Sequence, residues 1–396
     1  MSDAPPAAGP VTVVGIGADG WPGLAGTGRD ALRSAEVIFG GRRQLGLLPP
    51  EVPGERAPWP SPMLPALPAL FAAHRDRRVA VLASGDPLFF GIGGTLVRLL
   101  GADRVRVLPH PSSASLACAR LGWPLEDTAI VSAVGRPPEA LRAALAPGRR
   151  ILVLSADAST PARVADLAGD GAELTLLERL GAADERVGPL RADPDPLNIV
   201  AVRCGPDAGL PAVPGLPDEV YGSDGQLTKR EIRAVTLAAL GPRPGELLWD
   251  VGGGAGSIGI EWMRAHPSCR AVAVEAVPAR AERIGLNAAA LGVPGLEVVR
   301  GRAPEALEGL PAPDAVFVGG GVTAPGLVDA CWDALRPGGR LVANAVTVES
   351  EQAVAAARDR LGGDLARIAI NRAAPVGGFT GWRAMMPVTQ WTAVRP

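Results

Sequence analysis

The sequence has little of what builds metal centres or disulfide frameworks. Its four cysteines, Cys118, Cys204, Cys269 and Cys331, lie far apart, as do its three histidines, His74, His110 and His266. No ligand spacing or redox pair can be read from them, which argues against a metal site and against disulfide bonding. Lys229 is the only lysine, so nearly all positive charge is arginine, and with Ala, Gly and Pro abundant this reads as base-composition bias. Arginine would still suit a partner rich in carboxylates. A net charge of −2 leaves no electrostatic footprint for nucleic acid. No apolar run is long enough to span a bilayer, and residues 2–10 lack the basic start and apolar core of a secretory signal. No membrane partner is expected, and the expected compartment is the cytoplasm.

What is present describes an ordinary globular chain, 47% apolar and 20% charged. Its 396 residues exceed the usual single-domain size, so two domains are expected. Residues 1–10 read as a disordered arm. Over 11–204, strand patterns at 11–16, 79–82, 105–108, 129–131, 151–154 and 198–202 alternate with helical patterns at 64–74, 91–100, 114–121, 138–145 and 160–167. That alternation predicts α/β architecture on a largely parallel sheet. Residues 205–217 hold four prolines and three glycines and read as a linker. A second α/β series fills 218–396, with strands at 247–251, 271–275, 296–300, 315–318, 340–345 and 365–371. Helices are expected at 228–240, 257–264, 279–291, 324–335 and 350–361, and an antiparallel pair at 385–388 and 390–394 closes it.

The chain's strongest motif runs from Trp249 to Glu261. An apolar strand ends at Asp250, the glycines at 252, 253, 254 and 256 form a tight loop with Ala255, and a helix starts at Ser257. Glycines let backbone approach a ligand, and helix-start amides face an anionic group. The spacing Gly254-x-Gly256-x-x-Gly259 also satisfies a dinucleotide fingerprint, so an NAD-dependent oxidoreductase is one reading. Glu275, closing the next strand, could accept hydrogen bonds from ribose hydroxyls under either reading. Asp250 beside the glycines is unwelcome next to a pyrophosphate and suits a sulfonium with an amino-acid tail. Ala303, after the following strand, could hold a flat adenine. Three such sites on successive strands resemble a class I S-adenosylmethionine-dependent methyltransferase with a Rossmann-like fold. Thr228-Lys229-Arg230-Glu231 reads as a capping box, with Thr228 near the cofactor and Lys229, Arg230 or Arg233 facing an anionic substrate.

Weaker signals occupy the first half. Gly15-Ile16-Gly17 follows the first strand, and Ser84-Gly85-Asp86-Pro87-Leu88 follows another, where Asp86 could equally cap a helix. With Gly40-Gly41-Arg42-Arg43 and Pro111-Ser112-Ser113 in order, they resemble the tetrapyrrole (class III) methyltransferases, whose fold has two α/β subdomains. One departure is Val134, where a histidine would be expected before Gly135-Arg136.

Asp218-Glu219-Val220, the segments 227–233 and 249–257, Gly301-Arg302-Ala303-Pro304 and residues 342–347 together resemble the bifunctional, decarboxylating methyltransferases of cobalamin (corrin) biosynthesis. The resemblance implies S-adenosyl-L-methionine as donor, released as S-adenosyl-L-homocysteine. In the second half it assigns the donor to Thr228, Asp250, Gly252, Gly253, Gly254, Ala255, Gly256, Glu275 and Ala303. In the first half it assigns Gly17, Gly85, Asp86, Leu88, Ser112 and Ser113. It implies a polycarboxylate tetrapyrrole, precorrin-6Y, methylated at C5 by the first half. The second half would methylate C15 and decarboxylate the ring C acetate, giving precorrin-8X. A homo-oligomer through the second half, up to a tetramer, is also implied, and one half could instead serve the other as a scaffold. Asn344, Thr347, Lys229 and Arg233 are substrate-side candidates, with a strand-end hydrogen-bonding role as the alternative for Asn344 and Thr347. Trp382 and Trp391 read as core or interface, and the histidines as structural or exposed. The proton donor for decarboxylation has no sequence signature.

Overall fold

A computed structural model describes residues 9–396, so the arm predicted over 1–10 lies outside the described residues except for its last two. The chain divides into two compact units. The first runs to Pro138 and resumes over Pro147–Pro206; the second comprises Glu139–Ala146 and Asp207–Pro396.

In the first unit, β1 (Val11–Ile16), β2 (Val37–Gly40), β3 (Glu55–Pro58), β4 (Val79–Ser84) and β5 (Val105–Leu108) form a sheet of order β3-β2-β4-β1-β5. All its pairings are parallel. A second sheet joins β6 (Thr128–Ser132), β7 (Arg150–Leu154), β8 (Glu173–Glu178), β9 (Arg186–Gly188) and β10 (Asn198–Arg203) in the order β6-β7-β10-β8-β9. There only β6 and β7 run parallel. The other pairings are antiparallel, so the expectation of a largely parallel sheet holds for the first sheet alone. The reason is local: short links join β8, β9 and β10, and a parallel crossover needs a dozen or more residues. The unit is an α/β fold of two subdomains.

The second unit carries one seven-stranded sheet. Its strands are β11 (Leu247–Val251), β12 (Arg270–Glu275), β13 (Glu297–Arg300), β14 (Ala315–Val318), β15 (Arg340–Ala345), β16 (Asp364–Ile368) and β19 (Val388–Val394). The order is β13-β12-β11-β14-β15-β19-β16, with β19 antiparallel to both its neighbours and the other pairings parallel. Every residue of β11 is buried because both faces are covered. Leu247, Trp249 and Val251 enter one core, and Leu248, pointing oppositely, enters the other. The unit is Rossmann-like.

Two expected local features take other forms. The antiparallel pair at 385–388 and 390–394 is instead the single strand β19. Gln390, at the start of the expected second strand, is a buried residue whose Nε2 donates to Asn344 Oδ1 (3.0 Å) and Thr236 Oγ1 (3.2 Å). The hairpin lies earlier, between β17 (Asn371–Val376) and β18 (Phe379–Ala384), across Gly377-Gly378. The capping box at 228 is also absent. The helix Arg230–Leu240 starts at Lys229 with no side-chain cap, the Thr228 carbonyl accepts from the Arg233 guanidinium, and Glu231 pairs with Arg372. Trp391 is core, whereas Trp382 is 79% exposed on the hairpin. Where residues 205–217 end, the Gly215 and Leu216 amides donate to Glu261 at 2.6 and 3.1 Å.

Candidate active sites

In the second unit the chain leaves β11 through a loop whose geometry only glycine permits. Gly252 has φ +75°, and a Cβ there would lie 2.9 Å from the Gly320 amide nitrogen. The Gly252 and Gly253 amides both donate to the Val274 carbonyl, folding the loop against the end of β12. Gly256, φ +76°, turns the chain into the helix Ser257–Ala265, where a Cβ would strike Ile284 at 2.7 Å.

Two buried carboxylates hold this loop. Asp250 Oδ2 accepts the Gly259 amide (2.9 Å) inside the new helix. Glu275 Oε2 accepts the Gly254 amide and Oε1 the Val277 amide, each at 2.9 Å. Each Glu275 oxygen has a second lone pair left for a hydroxyl. Burial, reinforced by the Glu275 charge and opposed by the Gly259 amide, pushes Asp250 up to about 7. The aspartate that reads as a fixed negative charge in the sequence is therefore a switchable one.

The loop opens on a cavity of about 550 Å³, within the roughly 300–1,000 Å³ of small-molecule sites. Thr228, Lys229, Asp250, Gly252, Gly253, Gly254, Glu275, Ala303 and Asn344 line it. Five other predicted residues do not, one of them Arg230, exposed in the first turn of its helix. Ala255 is buried, with its carbonyl accepting Asn287 Nδ2, and Gly256 lies behind the loop against Ile284. Arg233, expected to face substrate, is fully buried. It donates to Glu261, Asp218 and the Thr228 and Leu216 carbonyls, and stacks on the Tyr221 ring. Glu261 in turn accepts the Tyr221 hydroxyl at 2.8 Å, and burial drives that phenol's pKa upward. Thr347, the other substrate-side candidate, caps the helix Val348–Leu361 in a box with Ser350. Reading of the sequence missed Gly319-Gly320-Gly321, Arg280, Arg302 and the apolar pair Met385 and Met386. The first was findable, as a glycine run at the carboxyl end of a strand.

The first unit has a cavity of about 450 Å³ at the ends of β1 and β4, lined by Gly17, Gly85, Asp86, Ser112 and Ser113. Residues of the unit's other sheet, among them Ser132, Leu154 and Asn198, complete it. Gly85, φ +57°, donates to the Ile16 carbonyl (3.0 Å), and its Cβ would sit 3.2 Å from the Ser112 Cα. Asp86 caps no helix, since the next one begins at Gly93; its Oδ1 accepts the Leu88 amide in a turn two residues long. The Leu88 side chain is 57% exposed and is not among the residues that line the cavity. Ser112 caps the helix Ser113–Leu121. Val134 lines the cavity, as do Arg43 of the Gly40–Arg43 motif and Gln44, which sequence alone did not single out; both donate to Ser84 Oγ.

Among the described residues, no group of three His, Cys, Asp or Glu could hold a metal ion. Comparison with known proteins matches residues 219–395 to the precorrin methyltransferase domain and residues 10–193 to the tetrapyrrole (corrin/porphyrin) methylases. A Sinorhizobium precorrin-6Y C(5,15)-methyltransferase [decarboxylating] is 49% identical, with 96% of this chain and 95% of that protein aligned. The Mycobacterium tuberculosis (strain CDC 1551 / Oshkosh) protein of the same name is 50% identical, over 97% of this chain and all of its own. The solved C-terminal domain of precorrin-6Y C5,15-methyltransferase from Rhodobacter capsulatus is 48% identical, covering 47% of this chain and 100% of its own, with a TM-score of 0.45.

Proposed function

The chain belongs to the decarboxylating precorrin-6Y C(5,15)-methyltransferase family and is a methyltransferase; from that premise we propose that it acts on precorrin-6Y through two S-adenosyl-L-methionine sites. The second unit methylates C15 and removes the ring C acetate carboxylate, the first methylates C5, and the product is precorrin-8X. The observation that carries this reading is that each unit has its own cavity, with a glycine turn at the carboxyl ends of parallel strands.

Methyl transfer from a sulfonium asks mainly for orientation of a carbon nucleophile. In the second unit Glu275 holds the donor ribose, Gly252–Gly254 admit its tail, and Asp250 answers its positive charge. Two buried carboxylates suit a cationic donor better than a diphosphate, which counts against the oxidoreductase reading. Lys229 and Arg302 at this cavity are cations for the substrate's other carboxylates. Loss of carbon dioxide leaves its electron pair in the conjugated macrocycle, so the protein orients the acetate and a proton arrives afterwards. A homo-oligomer through the second unit belongs to the same proposal, supported by the apolar hairpin on which Phe379 is 84% exposed. So does a cytoplasmic location; among the described residues no helix is long and apolar enough to cross a membrane.

The test is a turnover count. The full chain with S-adenosyl-L-methionine and precorrin-6Y should add two methyl groups and release one carbon dioxide per substrate. One methyl group would confine activity to a single unit. Calorimetric binding of NADH in place of S-adenosyl-L-homocysteine would overturn the reading.

A further inference from the structure

In the wall of the first unit's cavity two side chains give their hydrogen bonds to one hydroxyl. Arg43 Nη2 and Gln44 Nε2 both donate to Ser84 Oγ, at 2.9 and 2.8 Å. All three residues line that cavity beside Gly85 and Asp86, where the methyl donor is assigned. Two incoming N–H groups fill both lone pairs of the hydroxyl, so its own O–H must point elsewhere. Among the described residues nothing accepts that O–H, and nothing accepts the remaining N–H groups of Arg43. The charge is unmatched as well. The neighbouring Arg179 is held by Asp184 (2.7 Å) and Asp195 (3.6 Å), whereas Arg43 makes no ion pair among the described residues. Partial burial and the Arg179 charge hold the Arg43 guanidinium below the ordinary arginine pKa, and a cation in that setting gains from an anion. Arg43 still reaches solvent, so an incoming group can meet it. Trp59, Met63, Phe89, Phe90 and Ile92 give the same cavity an apolar lining suited to a conjugated ring.

Resting on the reading that this unit methylates C5, we propose that Arg43, with Ser84 and Gln44, forms a receptor for one peripheral carboxylate of the tetrapyrrole and so sets which edge of the macrocycle meets the methyl donor. The guanidinium offers a carboxylate its planar fork of N–H groups. The Ser84 O–H adds a further contact, and Gln44 holds Ser84 in place. The methyl donor has a carboxylate too, but its ammonium travels with it. The cluster holds no carboxylate to receive that ammonium, and the two arginines repel it. A carboxylate of the macrocycle brings no such charge. Arg43 is a positioning residue for the substrate, and no bond is made or broken at it.

The full chain is assayed for C5 methylation over a range of tetrapyrrole concentrations, and calorimetry with S-adenosyl-L-homocysteine reads the first methyl-donor site of each variant. Arg43→Gln should raise the KM of the C5 step about ten- to a hundredfold, with kcat little changed. S-adenosyl-L-homocysteine affinity and C15 methylation should stay as they were. Arg43→Lys, which keeps the charge without the fork, should fall between, and Ser84→Ala should raise KM by less than Arg43→Gln. Arg42→Gln, at an exposed side chain outside the cavity lining, should not move it. If Arg43→Gln fails to fold, Arg43→Lys and Ser84→Ala decide, and an ordinary KM in both overturns the proposal. So does an ordinary KM in Arg43→Gln that binds S-adenosyl-L-homocysteine normally. A loss of S-adenosyl-L-homocysteine affinity with the tetrapyrrole KM unchanged would put the donor's own tail on the receptor, and overturns it too. Absence of C5 methylation in the unmodified chain would instead overturn the functional reading beneath it.

Discussion

The two cavities are held in shape by opposite means. In the second unit, buried side-chain carboxylates fix the backbone: Asp250 and Glu275 grip the glycine loop, and Glu261 grips residues 215–233 through Arg233 and Tyr221. In the first unit the wall is held by backbone packed on backbone, at Gly15 and Gly85, and by the capping serine Ser112. A wall fixed by charge is tuned by protonation and broken by single side-chain changes. A wall fixed by glycine contacts is broken mainly by adding atoms.

The largest effect should come from Arg233→Met. It leaves the buried Glu261 without its arginine, beside an apolar side chain, and should destabilise the second unit by about 3–5 kcal/mol. Denaturant unfolding followed with reporters in each unit should show the second transition move and the first stay. Equal movement of both would break the contrast. Next is Glu275→Ala, which unpairs the Gly254 and Val277 amides and should weaken donor binding at the second site by about 1–3 kcal/mol. Two-site calorimetry with S-adenosyl-L-homocysteine reads this directly, with the first site as internal control; an unchanged second site contradicts the ribose assignment.

Asp250 sharpens the comparison through pH. Its folded pKa is raised from 3.8 to about 7, so between these values the folded unit holds a proton that the unfolded chain has lost. The second unit's stability therefore falls as pH rises through that window. A cationic donor favours the ionised carboxylate, so binding expels part of this proton and affinity for S-adenosyl-L-methionine rises with pH up to about 7, then levels off. One proton limits the slope to about tenfold per pH unit. Asp250→Asn should flatten it, measured by titrations from below to above that pH. The first site, whose wall carries no such buried carboxyl pair, should show the slope in neither form.

The same contrast decided what could be read from the sequence. The second unit's loop, its two carboxylates and its order of strands are contiguous or evenly spaced, so elementary pattern reading reaches them. The first unit's cavity draws on residues from Gly17 to Asn198 across two sheets, and only an ordered set of weak motifs pointed to it. Where the reading failed, a polar residue had a hidden partner. Arg233 looked substrate-facing because the acceptor that buries it, Glu261, is 28 residues away. Its side chain was legible; the pairing was not.

The smallest effect is the most discriminating, because the same motif occurs in both units with different placement. Thr347 and Ser112 each cap a helix by accepting an amide three residues on. Replacing either by alanine should cost about 1 kcal/mol of stability in its own unit. Ser112 also lines the first cavity, whereas Thr347 lines neither, although both were site candidates. Thr347→Ala should therefore leave both methyl transfers at full rate once protein is folded, while Ser112→Ala lowers donor affinity at the first site alone. Turnover counts at matched folded fraction separate the two. A rate loss at C15 in Thr347→Ala would return that hydroxyl to the substrate side, and would mean that an intact capping box does not exclude a second role.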